Sequence, residues 1–294
     1  MSYSLLNKFR GAWLGSYLGH YPKTIKVDQK ELPRWSKIAE IGAQSLISLG
    51  DLNLTHYREQ VRLSDPSLLN LVGSANLGEA IWATLPVILF FQEQPHKLAP
   101  KLLSALEFWL HSQESAPTGL AMGEAIALLL DKNSDPLDII DQTDLGKTLG
   151  LSTKFWQDLP CLETAIKEIT RHTPPSQIPL AIACYCFLCT PKDFSLSIRR
   201  ATLFSQAEIT ATLVGILSGA YNGLSGMPFN WYGELLDSSL TLSPNSSGDF
   251  KIGGVGEVSH NENRLHLSDR LFTTWAGHYH PPEKSWRNHL VTHL

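Results

Sequence analysis

The stretch that decides the fold of this chain is Gln206-Ala-Glu-Ile-Thr-Ala-Thr-Leu-Val-Gly-Ile-Leu-Ser-Gly-Ala-Tyr-Asn-Gly223. Glu208 is its only charged residue, and it contains no proline. Glycine recurs every fourth residue, at Gly215, Gly219 and Gly223, and this spacing places the three along one stripe of a helix. Because each helical glycine costs roughly 1 kcal/mol relative to alanine, the stripe needs a packing reason. We therefore predict a helix that is buried on all sides and that a second helix approaches closely.

The same helical pattern recurs along most of the chain. Residues 5–18 have apolar side chains at helical spacing, with Gly11, Gly15 and Gly19 on a stripe of their own. Alternating strand patterns are almost absent, and no tandem repeat is found. Helices are predicted at residues 5–18, 36–49, 55–63, 80–91, 99–113, 118–130, 153–172, 178–189, 196–204, 207–221 and 267–275. Pro86 is expected to kink or restart its helix, and Pro100 to lie in a first turn.

These patterns predict an all-α fold, a compact helical bundle forming one domain over residues 1–294. Its core is expected at 5–275, followed by a C-terminal extension at 276–294. Between residues 240 and 263 the chain is rich in Ser, Gly, Asn and Thr. This composition predicts a short irregular insert or a small hairpin there.

Composition limits the class of protein. With 294 residues, 43% of them hydrophobic, the chain can bury a sizeable core without disulfides or metal. The net charge of -4 and the pI of about 6.2 give no global field that would attract nucleic acid or anionic lipid. No segment has the length and apolarity of a signal peptide or a membrane span. Nucleic-acid and membrane partners are therefore not expected.

The four cysteines favour a reducing, cytoplasmic setting. Cys184, Cys186 and Cys189 crowd one apolar segment and cannot easily pair with one another, while Cys161 stands alone. A helix points Cys184 and Cys186 to different faces, so we interpret the cluster as core cysteines rather than a metal site. The histidine pair His289 and His293 and the glycine-rich 253–256 are weak signals for a metal site and a phosphate loop, respectively.

Several segments carry a resemblance to a known family. They are Arg10–Gly19, Ile178–Ala183, Pro191–Ala201, Ala211–Gly223 with Met227-Pro228, and Leu267–Trp275. In order and spacing they resemble the ADP-ribosylglycohydrolase family, the group of the dinitrogenase-reductase-activating glycohydrolase. The resemblance implies a compact all-α fold with a cleft for ADP-ribose.

The resemblance also implies two magnesium ions, bound by a Thr-Asp-Asp-Thr stretch and an Asp-Thr-Asp-Thr stretch. Such hard cations need several carboxylate oxygens, and they orient ribose hydroxyls and polarise the attacking water. Here Pro33-Arg-Trp-Ser36 stands at the first stretch and Gln206-Ala-Glu-Ile209 at the second. Glu208 keeps a carboxylate and Ser36 a hydroxyl. The metal-binding motifs are therefore degenerate.

Two further motifs of the family also differ. Its middle Gly-Asn-Gly loop looks replaced by Leu77–Ala83, in which Glu79 could supply an oxygen, and its Gly-Asp pair is Gly19-His20 here. Two carboxylates are too few for a two-magnesium site, which typically draws on about four to six protein oxygens. We therefore expect neither a bound metal nor another cofactor.

Our first hypothesis is a pseudoenzyme that acts by binding an ADP-ribose-like small molecule or a protein partner. The ligand would contact Arg34, Trp35, Glu79, Trp82, Gln206 and Glu208. Arg34 would pair with a phosphate and the tryptophans would stack on a base. The alternative for these side chains is that they simply fill the emptied site.

Two other hypotheses come from different classes. An active hydrolase with a rearranged or single-metal site would use Glu208 as general base or magnesium ligand, supported by Glu79 or Asp28. A structural subunit of a larger assembly is suggested by the eight tryptophans and by the His-rich and Pro-rich end after Gly277.

Overall fold

The computed structural model of the chain describes residues 4–21, 33–131, 135–204, 206–231 and 260–277, with the backbone alone at 260–263. Within these ranges the chain forms α-helices, short 3-10 helices and connections, and no strand. An isolated bridge pairs Ala75 with Leu110. The predicted all-α class is confirmed.

Between Arg34 and Asn222 the α-helices follow one another with mostly short connections, and the links from α1 to α2 and from α13 to α14 run partly outside the described residues. They are α1 (Leu5–His20), α2 (Arg34–Leu49), α3 (Leu54–Ser64), α4 (Leu77–Phe91), α5 (Pro95–Trp109), α6 (Ala116–Leu130), α7 (Asp138–Asp141), α8 (Leu145–Thr148), α9 (Thr153–Asp158), α10 (Leu162–His172), α11 (Ile178–Cys189), α12 (Phe194–Ala201), α13 (Ala207–Asn222) and α14 (His260–Trp275). The 3-10 helices are Pro66–Leu71, Gln113–Ser115, Pro175–Gln177 and Leu224–Gly226.

The two glycine stripes face each other at the centre of the fold. A Cβ atom added to Gly15 would overlap the carbonyl oxygen of Gly215, and one added to Gly215 would overlap that of Gly15. Gly11 and Gly219 stand in the same relation one turn away. The backbones of α1 and α13 are therefore in direct contact, which explains why both stripes lack side chains. The sequence predicted that a second helix approaches α13 closely but did not identify it. In the structure that helix is α1.

Pro86 and Pro100 take helical positions that differ from those predicted. Of the two outcomes predicted for Pro86, a kink or a restart of the helix, the restart does not occur: α4 runs through Pro86, which is buried beside Gly42 of α2. The kink stays a prediction. Burial of nearly the whole of α4 compensates for the lost backbone hydrogen bond. Pro100 was expected in a first turn, but α5 begins at Pro95, so that Pro95 occupies the favourable position.

The single helix predicted at 153–172 is two helices. Leu159 adopts a left-handed backbone, with φ of 41°, and Pro160 follows it, so α9 ends before α10 begins. The insert predicted near 240–263 lies outside the described residues except at 260–263, which belong to α14. Residues 278–294 also lie outside them.

Helix α14 is tied to the rest of the core by ion pairs. Arg10 of α1 contacts Asp269 with its Nε 2.6 Å from Oδ1. Arg264, only 4% exposed, places its Nε 3.2 Å from Glu40 Oε1 on α2 and its guanidinium 4.7 Å from the ring centre of Tyr17. The Tyr17 hydroxyl donates to the same Glu40 oxygen at 2.9 Å.

In the part of the chain described, no helix is long and apolar enough to cross a bilayer.

Candidate functional site

A cleft with a volume of about 610 Å³ opens where the end of α1 meets the starts of α2, α4 and α13. The described residues that line it are His20, Pro33, Trp35, Asn76, Glu79, Trp82, Pro175, Ser176, Gln206, Ala207, Glu208 and Ile209. The volume is in the range of roughly 300–1,000 Å³ that is typical of small-molecule sites.

The α4 wall of the cleft is a closed hydrogen-bonded unit. Asn76 Oδ1 accepts from the backbone N–H of Glu79 at 3.0 Å, and Glu79 Oε2 accepts from the backbone N–H of Asn76 at 2.8 Å. This reciprocal arrangement is a capping box, which starts α4. The half-buried Glu79 carboxylate is thus already engaged with the backbone.

The α13 wall carries the second carboxylate of the lining. Glu208 is exposed in the first turn of α13, just after Gln206. Gln206 is itself exposed and has a left-handed backbone, with φ of 61°, which typically costs a non-glycine residue about 1–3 kcal/mol. Its side chain makes no capping hydrogen bond, so no side chain at that position satisfies the first N–H groups of α13.

The two tryptophans of the lining have different environments. Trp82 is 1% exposed and forms the floor, where its indole N–H donates to the Ser16 hydroxyl at 3.1 Å. Trp35 is half-buried and is held edge-on against Trp109, with ring centres 6.0 Å apart. Trp82 is therefore a nearly inaccessible part of the cleft wall, while Trp35 keeps accessible surface at the cleft.

Sequence reasoning did not select His20 as a ligand contact. It ends α1, and Gly19 before it packs so closely on α13 that a Cβ there would overlap the Ala211 carbonyl oxygen. The His20 ring centre lies 5.1 Å from that of Trp82, and Nδ1 lies 3.5 Å from the Thr212 hydroxyl oxygen. The available signal was the position of His20 directly after the last glycine of the α1 stripe.

The structure brings together five of the six predicted contacts: Trp35, Glu79, Trp82, Gln206 and Glu208. Arg34 lies outside the lining and is exposed. Its charge acts on the other side of α2, at Asp65, whose pKa is lowered first by the Ser67 hydroxyl and more weakly by Lys37 and Arg34. That these residues bind a ligand stays a prediction, and Asp28 lies outside the described residues.

Arg264 and Glu208 both act on Tyr21, next to His20. Burial is the main cause that raises the pKa of the Tyr21 hydroxyl; Arg264 opposes the shift and Glu208 adds to it. A cation and an anion thus approach this corner of the cleft from α14 and α13. Arg264 is committed to Glu40 and Tyr17, so its own position in the core is fixed by those partners.

The described part of the lining offers fewer carboxylate oxygens than two magnesium ions typically need. The carboxylates within it are those of Glu79, which caps α4, and Glu208. Nowhere in the described ranges do three or more His, Cys, Asp or Glu side chains gather as a metal site would require. The cysteine cluster forms no such group either: Cys184 and Cys186 are buried, and burial raises the pKa of each thiol to about 12. The His289 and His293 pair and residues 253–256 lie outside these ranges.

Comparisons with known proteins identify a family whose sequence model matches this chain. The sequence model of the ADP-ribosylglycohydrolase family matches residues 28–272. A solved structure described as "ADP-ribosylglycohydrolase-related protein complex" is similar to the chain, with a TM-score of 0.63 and 14% sequence identity. The match covers 92% of this chain and 99% of that one. A comparison with curated proteins gives no match.

Proposed function

This chain belongs to the ADP-ribosylglycohydrolase family. We propose that its cleft binds a nucleotide-like ligand such as ADP-ribose and that the chain has lost the hydrolysis that depends on two magnesium ions. The observation that carries the proposal is an open cleft whose described lining supplies only Glu79 and Glu208 as carboxylates. A cleft of this size accepts a small molecule, whereas two magnesium ions need more oxygens than these residues offer.

Trp35 is the residue best suited to bind the base of such a ligand. It is half-buried, it lines the open cleft, and the Trp109 ring fixes its orientation. A rigid aromatic ring can stack on a nucleobase at little entropic cost, and such stacking typically contributes about 1–3 kcal/mol. Trp82 is too buried to stack and instead gives the cleft an apolar floor.

Calorimetric titration of the full chain with ADP-ribose in EDTA tests this proposal. We expect measurable heat for the wild type and an affinity about tenfold lower or worse for Trp35→Ala, because the stacking surface is lost. Trp275→Ala is the matched control, since Trp275 is also half-buried but lies on α14 away from the lining. Equal losses in the two variants, or no heat with the wild type, would contradict the role of the cleft.

A chain that has lost hydrolysis and does not bind a nucleotide would act by binding a protein partner instead. The similar solved structure is described as a protein complex, and this description applies to that protein alone. A chain that gives no heat with ADP-ribose at any condition, yet remains folded, would favour a partner over a nucleotide. We also propose a cytoplasmic setting, which the four free cysteines support.

The rival enzyme hypothesis is retained because Glu208 is exposed in the lining. If Glu208 served as general base or single magnesium ligand, Glu208→Gln would abolish release of ADP-ribose from an N-linked substrate. We expect no release by the wild type with either magnesium or manganese, measured by chromatography of the products. Release by the wild type that Glu208→Gln abolishes would establish the enzyme and end the binding-only proposal.

A further inference from the structure

A second cleft, with a volume of about 650 Å³, opens at the opposite ends of α1 and α4 from the candidate site. Leu5, at the start of α1, and Gln92, directly after α4, line it, whereas His20 and Glu79 at the other ends of these helices line the candidate site. Helix α1 has 16 residues and α4 has 15, which makes each of them about 22–24 Å long. The two clefts are therefore separate sites.

Two polar side chains at the second cleft have unused hydrogen-bonding capacity. Gln92 is 9% exposed, and its buried amide Nε2 has no hydrogen-bond partner among the described residues. Glu124, half-buried on α6, forms neither a hydrogen bond nor a salt bridge within the same part of the chain. An unpaired buried polar group is unfavourable, so a ligand that satisfies both groups is stabilised by completing them.

The charge at this cleft favours a cation over an anion. The charged side chains in the described lining are Glu93, Glu124 and Asp131, and all three are acidic. Burial raises the pKa of the Glu124 carboxyl, and the nearby Asp144 carboxylate raises it further. The Glu124 anion is thus disfavoured by its present surroundings, and a positive charge placed beside it removes that disadvantage.

The buried cation closest to this region in the described structure, Lys8, is engaged elsewhere. Its Nζ donates to the backbone carbonyls of Leu129, at 2.8 Å, and Asp131, at 2.6 Å, and lies 5.8 Å from the ring centre of Tyr221. Lys8 is 4% exposed, and the charge that acts on it is that of Asp131. It therefore does not compensate Glu124.

We propose that the second cleft binds a small aliphatic amine that also carries a hydrogen-bond-accepting oxygen, with its ammonium group on Glu124 and its oxygen on Gln92. The aliphatic part of the ligand packs on the apolar side chains of Leu98, Ala127 and Leu128. The terminal torsion of a glutamine has a broad energy profile, so the Gln92 amide turns toward a ligand at little cost. The volume lies in the range of roughly 300–1,000 Å³ that small-molecule sites occupy. This site does not depend on the function proposed for the first cleft.

Calorimetric titration of the full chain in phosphate buffer, with three probes of matched length, tests the ligand class. Aminohexanol carries both groups, hexylamine lacks the oxygen, and hexanediol lacks the cation. Aminohexanol should bind at least about tenfold more tightly than hexanediol, because only an ammonium forms a charge-assisted hydrogen bond with a carboxylate. It should bind about fivefold more tightly than hexylamine, which cannot accept from Gln92. Equal affinity for hexanediol, or no heat from aminohexanol at millimolar concentration, would overturn the proposal.

Variants assign the two contacts. Glu124→Gln should weaken aminohexanol binding about tenfold or more and change hexanediol binding by less than about twofold. Gln92→Leu should remove the preference for aminohexanol over hexylamine. Glu168→Gln is the matched control, because Glu168 is also a half-buried helical glutamate but lies on α10 outside the described lining. It should keep the wild-type affinity. Aminohexanol binding that survives Glu124→Gln, or that falls equally in Glu168→Gln, would refute the role of Glu124.

The first cleft provides a further check. Glu124→Gln should leave the affinity for ADP-ribose within about twofold of the wild type, since the helices that connect the clefts are about 22–24 Å long. A failure of ADP-ribose to bind would remove the function proposed for the first cleft and leave the amine site standing. If Glu124→Gln does not fold, the three probes and Gln92→Leu decide, because binding that follows neither the cation nor the oxygen contradicts the proposal equally.

Discussion

Gly215→Ala is expected to lower the free energy of unfolding by at least about 3 kcal/mol, although alanine is the better helix former. In an unconstrained helix this substitution would stabilise by about 1 kcal/mol. Here the new Cβ would overlap the backbone carbonyl of Gly15, and a backbone cannot move aside as a flexible side chain does. Helices α1 and α13 would have to separate, which would open the centre of the core.

Gly42→Ala is the matched control for this prediction. Gly42 is also a buried helical glycine, but a Cβ there would meet side-chain atoms of Tyr57 and Pro86 at 3.1–3.3 Å. We expect a change within about 1 kcal/mol, because the gain in helix propensity offsets a small adjustment. Chemical denaturation monitored by circular dichroism measures both variants. A Gly215→Ala protein as stable as the wild type would disprove the backbone contact between the stripes.

Arg264→Ala is expected to cost about 3 kcal/mol or more, the range found when one partner of a buried ion pair is removed. The Arg264 side chain is 5% exposed and that of Glu40 22% exposed, so the truncation leaves the Glu40 carboxylate largely without compensation. Tyr17 loses the guanidinium over its ring at the same time. Because Arg264 belongs to α14, we expect the loss to loosen the attachment of this helix to α1 and α2.

The exposed pair of Arg62 and Glu59 provides the control. Their side chains are 56% and 47% exposed, so Arg62→Ala should change the free energy of unfolding by no more than about 0.5 kcal/mol. Thermal and denaturant unfolding of the variants gives the comparison. A double replacement of Arg264 and Glu40 should cost less than the sum of the single replacements, since no unpaired charge remains. Additive losses would mean that the ion pair is not the cause.

The parts of the fold that sequence could predict are those with an unambiguous local pattern. Helix α11 was predicted with its observed ends, and α13 within one residue, because an apolar run bounded by breaks leaves little choice. Both glycine stripes were recognised, but their mutual contact was not, because periodicity identifies a surface for close packing and not the helix that occupies it. At Pro86 the local pattern was misleading. Proline disfavours the interior of a helix, but the burial of α4 outweighs that preference and the helix continues.

The site was harder to predict, for a geometric reason. Consecutive helix residues point about 100° apart, so alignment with a family motif does not fix which side chain faces the cleft. Helix α2 starts at Arg34, and there Trp35 faces the cleft while Arg34 turns toward solvent and Asp65. His20 was not selected as a lining residue, because its contacts with Trp82 and Thr212 follow from the close packing of α1 on α13 and not from a local sequence pattern.

The central claim is that ADP-ribose binds this cleft without the help of a dication, and parallel calorimetric titrations in EDTA and in excess magnesium test it most directly. The account predicts the same affinity in both buffers. The Glu79 carboxylate already accepts a backbone hydrogen bond at the start of α4, and Glu208 by itself supplies too few oxygens to bind magnesium tightly. Binding that appears only with magnesium, at a stoichiometry of two ions for each chain, would contradict it.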